Sequence, residues 1–228
     1  MSADRPWNYP RGIIIEGVTG AGKTHTMKAL LSNEFVRQHW SPYDLFREKE
    51  TFGEFMGDLQ RYPNAPLQQR FRLLRNSIQT ATSRAAKSGD YRFIMERSHY
   101  SYYALLPNWD LYKSFDEQLA GLNVHVFLLW IPEEVLRDRS LFRRERRGWA
   151  GEFIEYFGSE AEAIQAFCAS QAARYEAIER SVIPHTVIDT RAMDWERYAN
   201  EIADTLGKST ARLEGIAAKP KRADEPHL

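Results

Sequence analysis

The chain has one cysteine, no excess charge of either sign and no long apolar run. Because Cys168 has no partner for an internal disulfide and the first residues lack the apolar segment of a secretion signal, we expect a cytoplasmic protein. Lys and Arg total 31, as do Asp and Glu. This balance gives no general attraction to nucleic acid or anionic lipid, and we expect neither as a partner. No apolar run approaches the ~20 residues that a membrane helix needs.

What the chain does contain is typical of a folded α/β protein. Its 228 residues are 43% hydrophobic and 27% charged, which excludes collagen, coiled coil and wholesale disorder. Short apolar runs alternate with segments whose apolar residues recur three and four apart, and this alternation predicts a mostly parallel sheet covered by helices. We predict a single domain over residues 1–207 and a flexible tail over 208–228. The predicted strands cover 12–16, 91–95, 123–131 and 185–189, and the predicted helices cover 24–40, 67–89, a segment after Pro132, 164–178, and 195–206 ended by Gly207.

A phosphate-binding loop lies between the first predicted strand and the first predicted helix. The motif G-x-x-x-x-G-K-[ST] is filled by Gly17, Val18, Thr19, Gly20, Ala21, Gly22, Lys23 and Thr24. Its backbone N–H groups and the helix N-terminus attract phosphate oxygens, Lys23 suits the outer phosphates of ATP, and the Thr24 hydroxyl suits Mg²⁺. Switches, motors and kinases share this loop, so other residues must decide between them.

Glu96 and Arg97 directly follow the strand predicted at 91–95. Ligands bind at the carboxyl ends of parallel strands, so both side chains should lie near the loop. An acid there can orient Mg²⁺, and an arginine can neutralise charge that develops on a transferred phosphoryl group. The alternative interpretation is a surface ion pair.

The segment 93–101 (FIMERSHYS) and the loop segment 15–24 (IEGVTGAGKT) resemble the deoxynucleoside kinases and, more distantly, the thymidylate kinases. The resemblance implies a P-loop kinase fold with a central five-stranded parallel sheet, flanking helices and an arginine-rich lid. It further implies that Mg-ATP phosphorylates a nucleoside 5′-hydroxyl, as in the first group, or a 5′-monophosphate, as in the second. A homodimer would match the habit of the family.

The resemblance assigns acceptor-binding roles on the helix at 67–89. Gln68 and Arg75 have the seven-residue spacing of the family's base-contacting pair, and Arg72 lies on the same face. Tyr102 occupies the place of an acid that helps to read the base, which puts a standard deoxycytidine or deoxyadenosine preference in doubt. The alternative for the helix is a solvated polar stripe.

The resemblance also assigns a general base and a sugar-pocket aromatic. Glu50 would accept the acceptor's proton at the end of the second strand, and Phe55 keeps the family's spacing from it. Glu48 is a rival for the base, and a charged strand edge is the alternative interpretation.

Arginines follow the helix after Pro132, where the family has its mobile lid. Arg139 and Arg143 match the family's spacing best and would steady the transferred phosphoryl group. A solvated helix or a nucleic-acid patch are the alternatives. Thr190 and Arg191 take the place that frames adenine in the family.

These residues together predict a small-molecule kinase of nucleoside-kinase type that uses ATP and Mg²⁺ and acts on a small-molecule acceptor, most simply an alcohol. The enzyme alternatives are a nucleoside monophosphate kinase and a kinase of an antibiotic or another non-nucleoside metabolite. A nucleotide-binding switch is the non-enzyme alternative. A switch should carry a Mg²⁺-binding acid at the end of the strand at 123–131, where this chain has Trp-Ile-Pro.

Overall fold

The computed structural model describes residues 10–51, 67–142 and 148–217, and for 67–70, 149 and 208–217 it describes the backbone alone. Five parallel strands form one sheet in the order β2-β3-β1-β4-β5, which confirms the predicted α/β class and strand number. The strands are β1 Gly12–Glu16, β2 Asp44–Phe46, β3 Phe93–Glu96, β4 Val124–Trp130 and β5 His185–Asp189.

Helices cover both faces of the sheet. They are α1 Lys23–Ser32, α2 Glu48–Thr51, α3 Leu67–Lys87, α4 His99–Tyr103, α5 Lys113–Ala120, α6 Glu133–Leu136, α7 Trp149–Phe157, α8 Glu160–Arg180 and α9 Trp195–Ala217, with π-helical turns at Val36–Trp40 and Arg137–Leu141 and a 3-10 turn at Trp109–Leu111. Within the described ranges, no helix combines the length and apolarity needed to cross a membrane.

Strand β1 is central and fully buried, and alternate residues supply the two hydrophobic cores. Ile13 and Ile15 pack with residues of α1 and α9, whereas Ile14 packs with residues of α3 and α5. This two-residue period is that of a strand covered on both faces. Register pairs Ile15 with Glu96 of β3, so the carboxyl ends of β1 and β3 lie side by side.

Three predicted elements end several residues away from where they end in the structure. The helix predicted over 24–40 ends at Ser32, because Asn33 is extended and its side chain accepts the N–H of Val36 as a new turn begins. The last helix continues through Gly207 to Ala217, because Gly207 does not take the left-handed conformation that ends a helix. Strand β2 has only three residues, so the chain is already helical at Glu48 and Glu50.

Candidate phosphoryl-transfer site

The phosphate loop joins the end of β1 to the start of α1, and residues from later in the chain pack against it. Gly20 and Gly22 both have φ of +89°, a left-handed conformation that favours glycine. A Cβ on Gly20 would lie 2.4 Å from the backbone oxygen of Arg139, and one on Gly22 would lie 2.0 Å from the Trp195 ring. Only glycine therefore fits at these two positions.

Lys23 is buried, and its ammonium group lies against the loop. Its Nζ donates to the carbonyl oxygens of Gly17 at 3.0 Å and Val18 at 3.3 Å. Burial and then the positive charge of Arg97 lower the pKa of Lys23 to about 8, although the carboxylates of Glu48 and Glu96 partly offset this. The Lys23 ammonium group is thus held against the phosphate loop, in a position that suits an interaction with a phosphate oxygen.

Glu96, Arg97 and Glu48 form a polar cluster at the end of β3. The Glu48 N–H donates to Glu96 Oε2 at 3.3 Å, and Glu48 Oε1 lies 3.0 Å from Arg97 Nε. Burial disfavours the charged form of Glu48, but Arg97 and Lys23 outweigh it and lower the pKa of that carboxyl. Thr24 is exposed at the start of α1. The Thr24 hydroxyl and the Glu96 carboxylate are hard oxygen donors of the kind that Mg²⁺ takes beside phosphate oxygens.

Glu48, and not Glu50, meets the polar cluster. Glu50 is exposed, and its Oε2 accepts the N–H of Arg47 at 2.7 Å at the start of α2. The expected position of Glu50 at the end of a strand is wrong, because the helix begins at Glu48 and residues two apart on a helix do not share a face. Phe55, the predicted sugar-pocket aromatic, lies outside the described residues.

A buried ionic group that the sequence did not predict adjoins this cluster. Glu16, at the end of β1, is fully buried, and its carboxylate accepts the Ser98 N–H at 2.6 Å and the Ser101 hydroxyl at 2.8 Å. Arg174 of α8 is also buried, with its Nε 3.7 Å from Glu16 Oε2. Burial and then Arg97 lower the pKa of Arg174 to about 10, with Glu16 offsetting part of the shift.

Ser101 connects the two buried guanidinium groups. Its hydroxyl oxygen accepts from Arg97 Nη1 and from Arg174 Nε, each at 3.3 Å, while it donates to Glu16. Arg174 Nη1 also donates to the carbonyl oxygen of Ser170 at 2.7 Å. The two arginines therefore converge on one point next to the phosphate loop.

Both arginines also line a cavity of about 80 Å³ next to the phosphate loop. Its charged lining consists of Arg97 and Arg174, and the rest is mainly apolar. The lining residues are Val18, Thr19, Arg97, Leu105, Phe153, Phe157, Ala166, Phe167, Ser170 and Arg174. The cavity thus has a cationic side adjoining the loop and an aromatic side formed by α7 and α8.

The arginines predicted to contact the base line a different cavity. Arg72 and Arg75 are exposed on α3 and border a space of about 550 Å³ between α3 and α5. No residue of the phosphate loop lines that space. Only the backbone of Gln68 is described, within α3.

Tyr102, which was predicted to contact the substrate, is fully buried, so its side chain is not exposed to a ligand. Its hydroxyl donates to the carbonyl oxygen of Thr51 at 2.9 Å, and its ring stacks on Phe71 with centroids 5.2 Å apart. Thr51 in turn donates to the backbone oxygen of Glu96 at 2.5 Å. Tyr102 therefore supports helix α2, which carries Glu48.

Arg139 links the loop after β5 to the phosphate loop. Its guanidinium donates to Thr190, including the Oγ1 at 3.1 Å, and to the Gly20 carbonyl oxygen at 2.9 Å. Arg191 points elsewhere and pairs with Glu134 at 2.6 Å. Trp195, which sequence reasoning missed, lies beside the loop with the Arg139 guanidinium 5.6 Å from its ring centre. Arg143 lies outside the described residues.

The comparisons with known proteins give structural neighbours alone. No family model and no curated protein matches the chain. The YorR protein from Bacillus subtilis, solved in complex with phosphorylated GDP, is 14% identical with a TM-score of 0.48, and the match covers 90% of this chain and 98% of that one. The deoxyadenosine kinase from M. mycoides with bound dATP is 16% identical with a TM-score of 0.47, and the match covers 86% and 99%.

The five-stranded parallel sheet and the phosphate loop after its central strand decide the fold. It is the predicted P-loop kinase fold. This fold places the carboxyl ends of β1 and β3, with Glu16 and Glu96, at the edge where ligands bind.

Proposed function

We propose that this protein is an ATP-dependent small-molecule kinase that transfers the γ-phosphoryl group of Mg-ATP to an oxygen of a nucleoside or a similar small molecule. One observation carries the proposal: a cavity lined by Arg97 and Arg174 adjoins the loop that holds Lys23. A donor phosphate site and a separate acceptor cavity side by side are what a kinase needs, whereas a nucleotide switch has no use for the second.

The roles follow from position and charge. The loop N–H groups and Lys23 would bind the donor phosphates, and Thr24 with Glu96 would hold Mg²⁺ directly or through water. The metal, when bound, would neutralise charge on the phosphate oxygens. Arg97 would stabilise the negative charge that builds on the phosphoryl group in transit.

In the transfer step, an acceptor oxygen bonds to the γ-phosphorus while the bond from that phosphorus to the bridging oxygen breaks. ADP leaves with the bonding electron pair. In this state the Arg139 guanidinium is hydrogen-bonded to Thr190 and Gly20. Arg139 would act in the transfer together with Arg143 only if those contacts were released when the lid closes.

Acceptor-dependent ADP release tests the proposal. The panel contains nucleosides, nucleoside monophosphates and non-nucleoside alcohols, each with Mg-ATP. We expect acceptor-dependent turnover in the wild-type protein, and we expect Lys23→Ala and Glu96→Ala to abolish it. The control variants Lys87→Ala and Glu117→Ala, at exposed positions remote from the loop, should leave turnover intact. If no acceptor raises ADP release above background while ATP still binds, the proposal is wrong.

A further inference from the structure

The π-helical turn Arg137–Leu141 packs directly on the phosphate loop. A Cβ on Gly20 would lie 2.4 Å from the Arg139 backbone oxygen and 2.9 Å from the Ser140 hydroxyl oxygen. Ser140 is fully buried, and its hydroxyl donates to the Thr19 carbonyl oxygen at 2.7 Å. Such turns are rare and often lie at functional sites. The turn thus brings a buried hydrogen-bond donor to the backbone of the loop, and the transfer step above does not use it.

We propose that Ser140 is a positioning residue for the phosphate donor: its hydroxyl holds the Thr19 carbonyl towards the turn, so that the Gly20 N–H faces the phosphate groups of ATP. The inference rests on the phosphate-binding part of the proposed function and adds to it a residue from outside the loop motif. Ser140 acts through the backbone of the loop and does not itself contact the nucleotide. Its bond therefore affects every ligand that presents the same phosphate groups, whatever the nucleobase.

The planarity of the peptide bond links a bonded carbonyl to the direction of the adjoining N–H group. In a trans peptide the C=O and N–H point in opposite directions, so a carbonyl held towards the turn directs the next N–H away from it. Ser140 holds the Thr19 carbonyl in this way, and Arg139 Nη2 donates to the Gly20 carbonyl at 2.9 Å. The Ala21 N–H, which belongs to the second of these peptides, points back into the loop and donates to a loop carbonyl oxygen 3.2 Å away. The two bonds from the turn therefore set the direction of two successive N–H groups.

Buried side chains and a backbone bond hold the turn in place. The Phe142 N–H donates to the Arg137 carbonyl oxygen at 3.1 Å and closes the turn. Leu136 and Leu141 are fully buried, and both belong to the core that also contains Val18 of the phosphate loop. Because close packing fixes the backbone on both sides of the serine hydroxyl, the donor stays at one place against the loop.

The loop needs support of this kind because its own sequence leaves it free to change shape. Glycine reaches left-handed and right-handed conformations almost equally well, so the local sequence alone does not fix the peptide groups beside Gly20. A bond formed before ATP arrives lowers the ordering cost of binding. Release of Arg139 on lid closure would free the Gly20 carbonyl and not the Thr19 carbonyl, because Ser140 makes a separate bond. Ser140 therefore keeps one loop peptide oriented during the transfer.

The test removes the Ser140 hydroxyl and measures phosphate binding by calorimetry with Mg²⁺ present. In Ser140→Ala we expect the Kd of ATP and the Kd of inorganic tripolyphosphate each to rise about 10-fold, because a buried carbonyl loses its hydrogen bond. Tripolyphosphate has no nucleobase, so an equal loss for the two ligands places the effect at the phosphate groups. In the kinase assay KM for ATP should rise by the same factor, while kcat and KM for the acceptor stay within about 2-fold of wild type.

Two further variants separate the hydroxyl from packing and from general stability. Ser140→Cys fills the space but donates only weakly, so it should lose nearly as much phosphate affinity as Ser140→Ala. Ser181→Ala is the matched control: it removes a hydroxyl that donates to Asp116, just before β5 and so at the opposite edge of the sheet from the loop. This control should lower thermal stability and leave both Kd values at the wild-type level.

The titration also separates failure of the inference from failure of the kinase proposal, because binding needs no acceptor. A tripolyphosphate Kd within about 2-fold of wild type in Ser140→Ala would overturn the inference, and so would a loss confined to ATP; in either case the kinase proposal stands if an acceptor is turned over. Should no acceptor be turned over, a 10-fold loss for both ligands would still support Ser140, with about that factor expected as above. If Ser140→Ala does not fold, Ser140→Cys decides by the same comparison. A wild-type protein that binds neither ligand would overturn both.

Discussion

Replacing Glu16 with Gln should destabilise the fold, because it removes the negative charge that faces buried Arg174. The side chain is fully buried and accepts hydrogen bonds from Ser98 and Ser101, with Arg174 at 3.7 Å. Gln has nearly the same shape, but one carboxylate oxygen becomes an amide nitrogen that cannot accept a hydrogen bond.

The magnitude follows from the contacts that are lost. A hydrogen bond to a charged group contributes about 1.5–3 kcal/mol, and breaking a buried ion pair costs about 3–5 kcal/mol. Because Glu16 lies at the longer distance of 3.7 Å from Arg174, we expect the lower end of that range, a loss of about 3 kcal/mol in the free energy of unfolding.

Urea unfolding at equilibrium measures this loss, with Glu176→Gln as the matched control. Glu176 also accepts from an arginine, Arg180, but that pair is half exposed and should contribute about 1 kcal/mol or less. The double change Glu16→Gln with Arg174→Gln should recover part of the loss, because it leaves no unpaired charge. A Glu16→Gln effect no larger than the control, or double-mutant effects that simply add, would refute the reasoning.

Three further predictions concern the loop and the core. Gly20→Ala should abolish ATP binding in a titration, because its Cβ would lie 2.4 Å from the Arg139 oxygen. ATP affinity should fall as the pH rises through about 8, because Lys23 loses its charge there. Calorimetry in two buffers should show proton uptake on ATP binding that increases as the pH rises through the same value. Asp116→Asn should cost about 2–3 kcal/mol in thermal unfolding, because buried Asp116 lies 3.1 Å from the His99 ring nitrogen.

The parts of the fold that could be predicted are those with a local signal. Strands β1, β3, β4 and β5 are apolar runs, and the phosphate loop is a contiguous motif. Strand β2 has three residues and no apolar run, so only the tertiary structure reveals it. The resemblance places Glu50 at a strand end through its spacing from Phe55, whereas the early start of α2 brings Glu48 to Arg97.

The missed pair, Glu16 and Arg174, had signals that were present but weak. Glu16 is a charge at the end of a strand that is otherwise apolar, and a buried charge requires a partner. Arg174 lies in the apolar stripe of α8, between Gln171 and Ile178 at helical spacing. Neither signal says which residue is the partner, because the two are brought together by packing of α8 against α4 and not by sequence.

Transfer of the labelled γ-phosphoryl group of ATP tests the central claim most directly. The wild-type protein and Lys23→Ala are incubated with the label, with and without the acceptor panel. The account predicts that label leaves ATP only when an acceptor is present and then appears in that acceptor, and that Lys23→Ala transfers none. Label that appears as inorganic phosphate at the same rate with and without every acceptor would contradict the kinase and indicate an ATPase.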